Sequence, residues 1–227
     1  MIVYGAILSP FVRKVLIAAA EKGVEVEQRP GGMGQGGDEF VEASPFGKMP
    51  ALRVPNGRGD GRDYLLADSS AIIHYMEAAH PAMPLIPAEA MARGDVIWFD
   101  EFADTILMAA GGKLFFNRVV APLFLKRPGD LAAAEDAERT EIPHILDWLE
   151  QRIGPKREFL VGDAFSLADI SVAVMFANVR GAGVALDTQK YPNVARWLAG
   201  VEGRPSFAAQ NARMEKILAR VRAEAGA

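Results

Sequence analysis

The sequence predicts an α/β unit followed by an all-α unit, and three observations carry that prediction. Short apolar runs alternate with helical patterns through about residue 80. His80-Pro81-Ala82-Met83-Pro84-Leu85-Ile86-Pro87 then places three prolines so close together that no helix can continue. From Ala88 onward apolar residues recur at helical spacing and no alternating strand pattern survives. The expected organisation is a first domain over 1–80, a linker over 81–87 and an all-helical domain over 88–227.

Residues 2–5 and 24–29 read as short strands flanking a helix from Pro10 to about Lys22. Ser9 is the expected N-cap of that helix, because a hydroxyl residue precedes a proline at the first helical position, and Gly23 is a stop signal. Gly31 through Gly37 form a glycine-rich loop, followed by a short helical turn over Asp38 to Ala43. Pro45-Phe46-Gly47-Lys48-Met49-Pro50 is a constrained bend running into Ala51-Leu52, a loop turning into a strand. Ala51–Val54 and Tyr64–Leu66 read as paired strands joined by a turn-rich connection. Asp68-Ser69-Ser70 then opens a helix that runs to about Ala79. The order βαβαββα is that of a thioredoxin-like domain.

In the helical half, Val96, Ile97, Phe99, Ala103, Ile106, Leu107 and Ala110 mark a first helix, and a second runs from about Leu131 to Ile153. A third, from Leu167 through Asn178, has no wide polar face and is the expected buried centre. Ser166 with Asp169 forms a capping box ahead of it, and Phe165 is placed to pack on Ile170 as a hydrophobic staple.

Composition narrows the function. The chain has 227 residues, half of them apolar, and a net charge of -4. Lys and Arg are scattered, so neither nucleic acid nor an anionic membrane is an expected partner. No apolar stretch approaches bilayer length, and Met1-Ile2-Val3-Tyr4 starts directly as a strand without the features of a signal peptide, so a cytoplasmic address is expected. His74, His80 and His144 are too widely spaced for a metal site. With no cysteine, any thiol chemistry must use a thiol that arrives with the ligand.

Two helix N-termini headed by Ser9 and Asp68, together with the bend at Met49-Pro50, point to a small anionic, peptide-like ligand, since free N–H groups and the helix dipole favour carboxylates. Leu8-Ser9-Pro10-Phe11-Val12-Arg13-Lys14-Val15, Pro45 through Leu52 and Asp68 through Ile72 occur in an order and spacing that resemble the glutathione S-transferase family. Gly162 through Ile170 and Tyr191-Pro192-Asn193-Val194-Ala195-Arg196-Trp197-Leu198 extend the resemblance over nearly the whole chain. It is most similar to serine-type branches, such as theta- and omega-like bacterial members.

The resemblance implies a thioredoxin-like domain joined to an all-helical one, glutathione as co-substrate, no metal, and a homodimer. It implies that Ser9 stabilises the glutathione thiolate, aided by Arg13 one turn along the helix. Met49 and Pro50 correspond to the family's cis-proline dipeptide, which pairs with the cysteinyl backbone of glutathione; Lys48 and Gln35 correspond to the glycine-carboxylate positions; Asp68 and Ser69 receive the γ-glutamyl end. Tyr4 is a competing hydroxyl, though its place inside the first strand favours packing. Leu8, Phe11, Phe102, Phe115 and Phe116 are candidate walls for a small hydrophobic electrophile. The expected function is conjugation of glutathione to that electrophile. The alternatives are a non-catalytic glutathione-binding or interaction protein on the same scaffold, or a glutathione-dependent isomerase or lyase.

Overall fold

The computed structural model describes residues 1–226, and the chain divides into two compact units, Met1–Ile86 and Pro87–Ala227. In chain order the first contains β1 (Ile2–Tyr4), α1 (Pro10–Glu21), β2 (Glu27–Arg29), α2 (Gly37–Ala43), β3 (Ala51–Val54), β4 (Tyr64–Ala67) and α3 (Ser69–Ala79). Its four strands lie in the order β2-β1-β3-β4. β1 runs parallel to β2 and antiparallel to β3, with Val3 opposite Gln28 and Leu52, and β4 closes the sheet antiparallel to β3.

Strand periodicity assigns the two faces. Ile2, Tyr4 and Ala51 are buried with Phe40 and Ala43 of α2, while α1 and α3 pack on each other and on β1 and β3. The predicted strand over 24–29 shortens to Glu27–Arg29 because α1 is still being closed at Val24: Gly23 takes φ +66°, its amide donates to Ala20 O, and the Val24 amide reaches back to Ala19 O at 2.8 Å. This 6→1 and 5→2 pair satisfies the last helical carbonyls before the chain can extend.

The proline-rich stretch after α3 is held down on the first unit. Leu85 and Ile86 are buried, and the Glu77 carboxylate accepts from the amides of Leu85 at 3.1 Å and Ile86 at 3.3 Å. Lys22, its side chain fully buried, donates to Glu77 at 2.6 Å and to Met83 O at 2.8 Å. The prolines end the helix, and the Lys22 donor and the Glu77 acceptor then fix the path of Met83 through Ile86.

The second unit contains α4 (Ala90–Glu101), α5 (Met108–Phe115), α6 (Leu131–Asp136), α7 (Ile142–Ile153), α8 (Leu167–Gly181), α9 (Pro192–Glu202) and α10 (Pro205–Gly226). A π-helical turn over Phe102–Leu107 joins α4 to α5 and another over Phe116–Phe124 extends α5, making one helical run, Ala90–Phe124, while Ala137–Glu141 joins α6 to α7. The 35-residue run is long and apolar enough to span a bilayer by length and composition, which corrects the expectation that no stretch approaches that length. Val96, Phe99, Ala103, Leu107, Ala110 and Leu114 along it are buried in the protein, and α4 and α5 pack on α8.

α8 buries every side chain from Leu167 to Val179. Ser166 and Asp169 form the expected capping box. Phe165 lies edge-on to Phe159 and Phe207, with the Arg204 guanidinium 4.0 Å over its ring.

Candidate functional site

The candidate site residues of the first unit lie at the opening turns of α1 and α3, in the bend before β3 and, for Gln35, in the loop before α2. Ser9 caps α1 with extended backbone (φ -71°, ψ 124°), and its Oγ accepts from the Val12 amide at a long 3.4 Å. A hydroxyl serving as cap acceptor keeps its proton for another partner. Ser9 is half-buried, flanked by half-buried Leu8 and Phe11.

Arg13, one turn along α1, faces the loop before it. It is fully buried, and its guanidinium donates to Ile7 O at 2.9 Å and Leu8 O at 3.4 Å. Those bonds tie down the loop that delivers Ser9, and the buried guanidinium is not a solvated cation. Lys14, beside it, is also fully buried and donates to Ser70 Oγ at 3.2 Å, joining the first turn of α1 to that of α3. Sequence reading passed over Lys14. Its signal was the surrounding run of Val12, Val15, Leu16, Ile17 and Ala18, which leaves this helix no polar face for a cation to occupy.

The Met49-Pro50 peptide is cis. The Met49 side chain fills the space over two glycines: a Cβ on Gly32 would fall 2.5 Å from Met49 Cε, and one on Gly5 3.3 Å from Met49 Cβ. Met49 Sδ also accepts from the Ala6 amide at 3.4 Å. Its side chain is thus held inward against β1 and the glycine loop. Lys48 and Gln35 are exposed on either side of α2. Ser44 Oγ donates to Lys48 O at 2.6 Å, and the Gln35 amide donates to Gly32 O at 3.0 Å.

Asp68 is exposed, and its Oδ1 accepts from the amides of Ser70 at 2.9 Å and Ala71 at 3.1 Å, capping α3. It does so at φ 84°, a region costly for any residue with a Cβ, which places this carboxylate at the helix mouth. Ser69 is only 3 % exposed, so it is a poorer candidate for side-chain contact with a ligand than Asp68.

Tyr4 is spent elsewhere. The ring is in the core, the hydroxyl proton is given to Glu39 Oε2 at 2.9 Å, and burial pushes the phenol above its ordinary pKa.

Two of the proposed wall residues, Phe102 and Phe115, are packed into the interior of the helical unit. Phe102 stacks on Trp98 at 5.4 Å and tilts against Trp148 at 5.3 Å, in the interior of an aromatic cluster. Phe115 is buried where α5 passes α8, so close that a Cβ on Gly181 would lie 3.3 Å from its ring. Large aromatic side chains on a helical face gain most by core burial, and spacing alone does not separate core from wall. Phe116 is 41 % exposed, with the Arg127 guanidinium 5.6 Å from its ring centre.

Residues 3–84 match the model of the glutathione S-transferase N-terminal domain, and residues 132–200 match that of the C-terminal domain. Glutathione S-transferase 3 of Zea mays is 30% identical over 90% of this chain and 90% of its own length. Human glutathione S-transferase theta-2 is 29% identical over 91% of this chain and 77% of its own. Among solved structures, a glutathione transferase from Burkholderia graminis, with two glutathione molecules bound per subunit, is 29% identical with a TM-score of 0.75, covering 92% of this chain and 86% of that one. Both halves and their order are accounted for, and the chain belongs to the glutathione S-transferase family.

Proposed function

We propose that the chain binds glutathione along the opening turns of α1 and α3 and joins the whole tripeptide, through its sulfur, to a small hydrophobic electrophile. The cysteinyl backbone pairs with Met49, the γ-glutamyl end meets Asp68 and the α3 N-terminus, and the glycine carboxylate meets Lys48 and Gln35. Ser9 donates its hydroxyl proton to the sulfur and the α1 amides add their dipole field, so the thiolate form is favoured at neutral pH. Serine stabilises here and does not deprotonate, because a free hydroxyl is too weak an acid to exchange roles with a thiol. Leu8 and Phe11 line the sulfur's surroundings on this unit. A cytoplasmic homodimer is the setting that goes with this reading.

The observation that carries the proposal is the Ser9 cap. Among the described residues its oxygen is occupied by the single 3.4 Å contact to Val12, at a half-buried position whose loop is braced by the buried Arg13. Isothermal titration with glutathione, followed by conjugation assays over a panel of electrophiles, tests it. Binding with turnover supports a transferase; binding without turnover on any electrophile assigns the chain to carriage; no binding overturns both.

A further inference from the structure

One cluster in the first unit lies apart from the proposed glutathione contacts. On the sheet face away from α1 and α3, α2 lies over β1 and β3 and buries Phe40 and Ala43 there. Around that small apolar contact runs a polar clasp. Tyr4 Oη donates to Glu39 Oε2 at 2.9 Å, and Arg29 Nη1 donates to the same oxygen at 3.0 Å. One turn later Glu42 Oε2 accepts from Arg53 Nη2 at 2.5 Å, while Arg53 Nη1 donates to Asp63 at 2.6 Å.

Exposed ion pairs by themselves contribute little. Here one arm is different: Tyr4 is 1 % exposed, so its hydroxyl needs a protein acceptor, and Glu39 supplies it from α2. A helix of seven residues with two buried side chains has no independent stability, so its orientation is set by these contacts.

Both ends of α2 lead to the ligand face. At its start, Gly36 takes φ 97°, and a Cβ there would lie 2.7 Å from Pro30 O and 3.0 Å from Gly31 Cα, so the loop carrying Gln35 is closed at its base by the helix cap. At its end, Ser44 accepts from the Gly47 amide at 2.8 Å and donates to Lys48 O at 2.6 Å. α2 cannot tilt without moving Gln35 and Lys48 together.

We propose that Tyr4, Arg29 and Glu39 are positioning residues for glutathione: by locking α2 they set the separation of Gln35 and Lys48, and so the grip on the glycine carboxylate. This rests on the glutathione reading of the site. It leaves the sulfur to Ser9, so the effect belongs in binding and not in chemistry.

The test uses the full chain with Glu39→Gln and Tyr4→Phe, alone and combined, read by glutathione titration and steady-state kinetics. The glutathione Kd and KM rise about three- to tenfold in each variant, the range for one charge-assisted contact. The double variant is no worse than Glu39→Gln alone, because both substitutions act on the Tyr4–Glu39 contact. kcat at saturating glutathione and its pH profile stay within about twofold of wild type. In a Gln35→Ala/Lys48→Ala background the Glu39→Gln penalty disappears, which a merely structural role does not predict. Arg29→Gln, which spares the phenol contact, shifts Kd in the same direction by about two- to threefold and serves if the other variants fold poorly. Wild-type binding with unchanged Kd in every variant overturns the clasp, as does a penalty that persists without Gln35 and Lys48. A wild type that fails to bind glutathione sinks the underlying reading instead.

Discussion

The indole N–H of Trp197 donates to Oδ1 of the buried Asp169 at 2.8 Å, tying α9 to the first turn of α8. The same carboxylate accepts from the amides of Leu160 at 2.9 Å and Ser166 at 3.0 Å. One side chain therefore satisfies donors from three segments. Asp169→Ala strands them in a dry interior and should cost about 3 kcal/mol or more, whereas Trp197→Phe removes one donor and a little volume and should cost about 1–2 kcal/mol. Urea unfolding of the two variants checks the ranking; equal costs would contradict it.

Burial raises the Asp169 carboxyl above its ordinary value of 3.8, against the pull of Trp197 and the two amides. A raised folded-state pKa means that the folded chain holds this proton more tightly than the unfolded one. The associated stability is complete below 3.8 and is lost as pH rises through the folded pKa. The stability difference between wild type and Asp169→Asn, which has no proton to titrate there, should shrink as pH is raised from 3.8. Paired urea melts across that range measure it, and a difference that is flat or grows with pH refutes the assignment.

Lys22 and Glu77 form a buried pair that also holds the amides of Leu85 and Ile86. Glu77→Ala leaves the ammonium without its counter-charge and should cost about 3 kcal/mol. It should also speed hydrogen exchange at Leu85 and Ile86 well beyond the change in β1, because local opening of that stretch becomes easier than global unfolding. Uniform acceleration over the whole unit would show that the segment is not pinned by Glu77.

Much of this arrangement was legible in the chain. The caps at Ser9, Asp68 and Ser166 follow from hydroxyl and acidic residues placed just before apolar periodic runs, a local rule that the structure reproduces. The four strands and their places along the chain follow from short apolar runs punctuated by Gly and Pro. The parts that escaped sequence reading depend on through-space partners. Arg13 reads as an aid to the sulfur, and Lys14 draws no notice, because nothing local reveals that carbonyls at Ile7 and Leu8, and Ser70 on another helix, will take their protons. Phe102 and Phe115 read as pocket walls because spacing places them on a helix without saying which face meets α8 or Trp148. The glycine-rich loop around Gln35 gives no clue that Glu39, just beyond it, reaches Tyr4 on β1.

Two adjacent aromatic residues, Phe115 and Phe116, separate in stability. Phe115→Ala empties a packed interior and should cost about 3–5 kcal/mol, whereas Phe116→Ala, at an exposed position, should stay within about 1 kcal/mol. Thermal or denaturant melts decide this, and a mild Phe115→Ala would return that ring to the candidate ligand walls.

Asp68 separates capping from ligand charge. Asp68→Asn keeps a side-chain oxygen for the amides of Ser70 and Ala71 but removes the charge offered to a γ-glutamyl ammonium. Glutathione affinity should fall about tenfold while the melting temperature moves by only a few degrees. Unchanged affinity alongside a large drop in melting temperature would reduce Asp68 to a cap.

The central claim is that the Ser9 hydroxyl holds the glutathione sulfur as a thiolate, and it is tested most directly by titrating that sulfur in the bound state. Ultraviolet thiolate absorbance of the wild-type complex should give a pKa well below the ordinary thiol value of about 8.5. Ser9→Ala should return it toward that value, with turnover lower by about ten- to a thousandfold and glutathione affinity nearly kept. A bound thiol that titrates identically with and without the Ser9 hydroxyl would contradict the account.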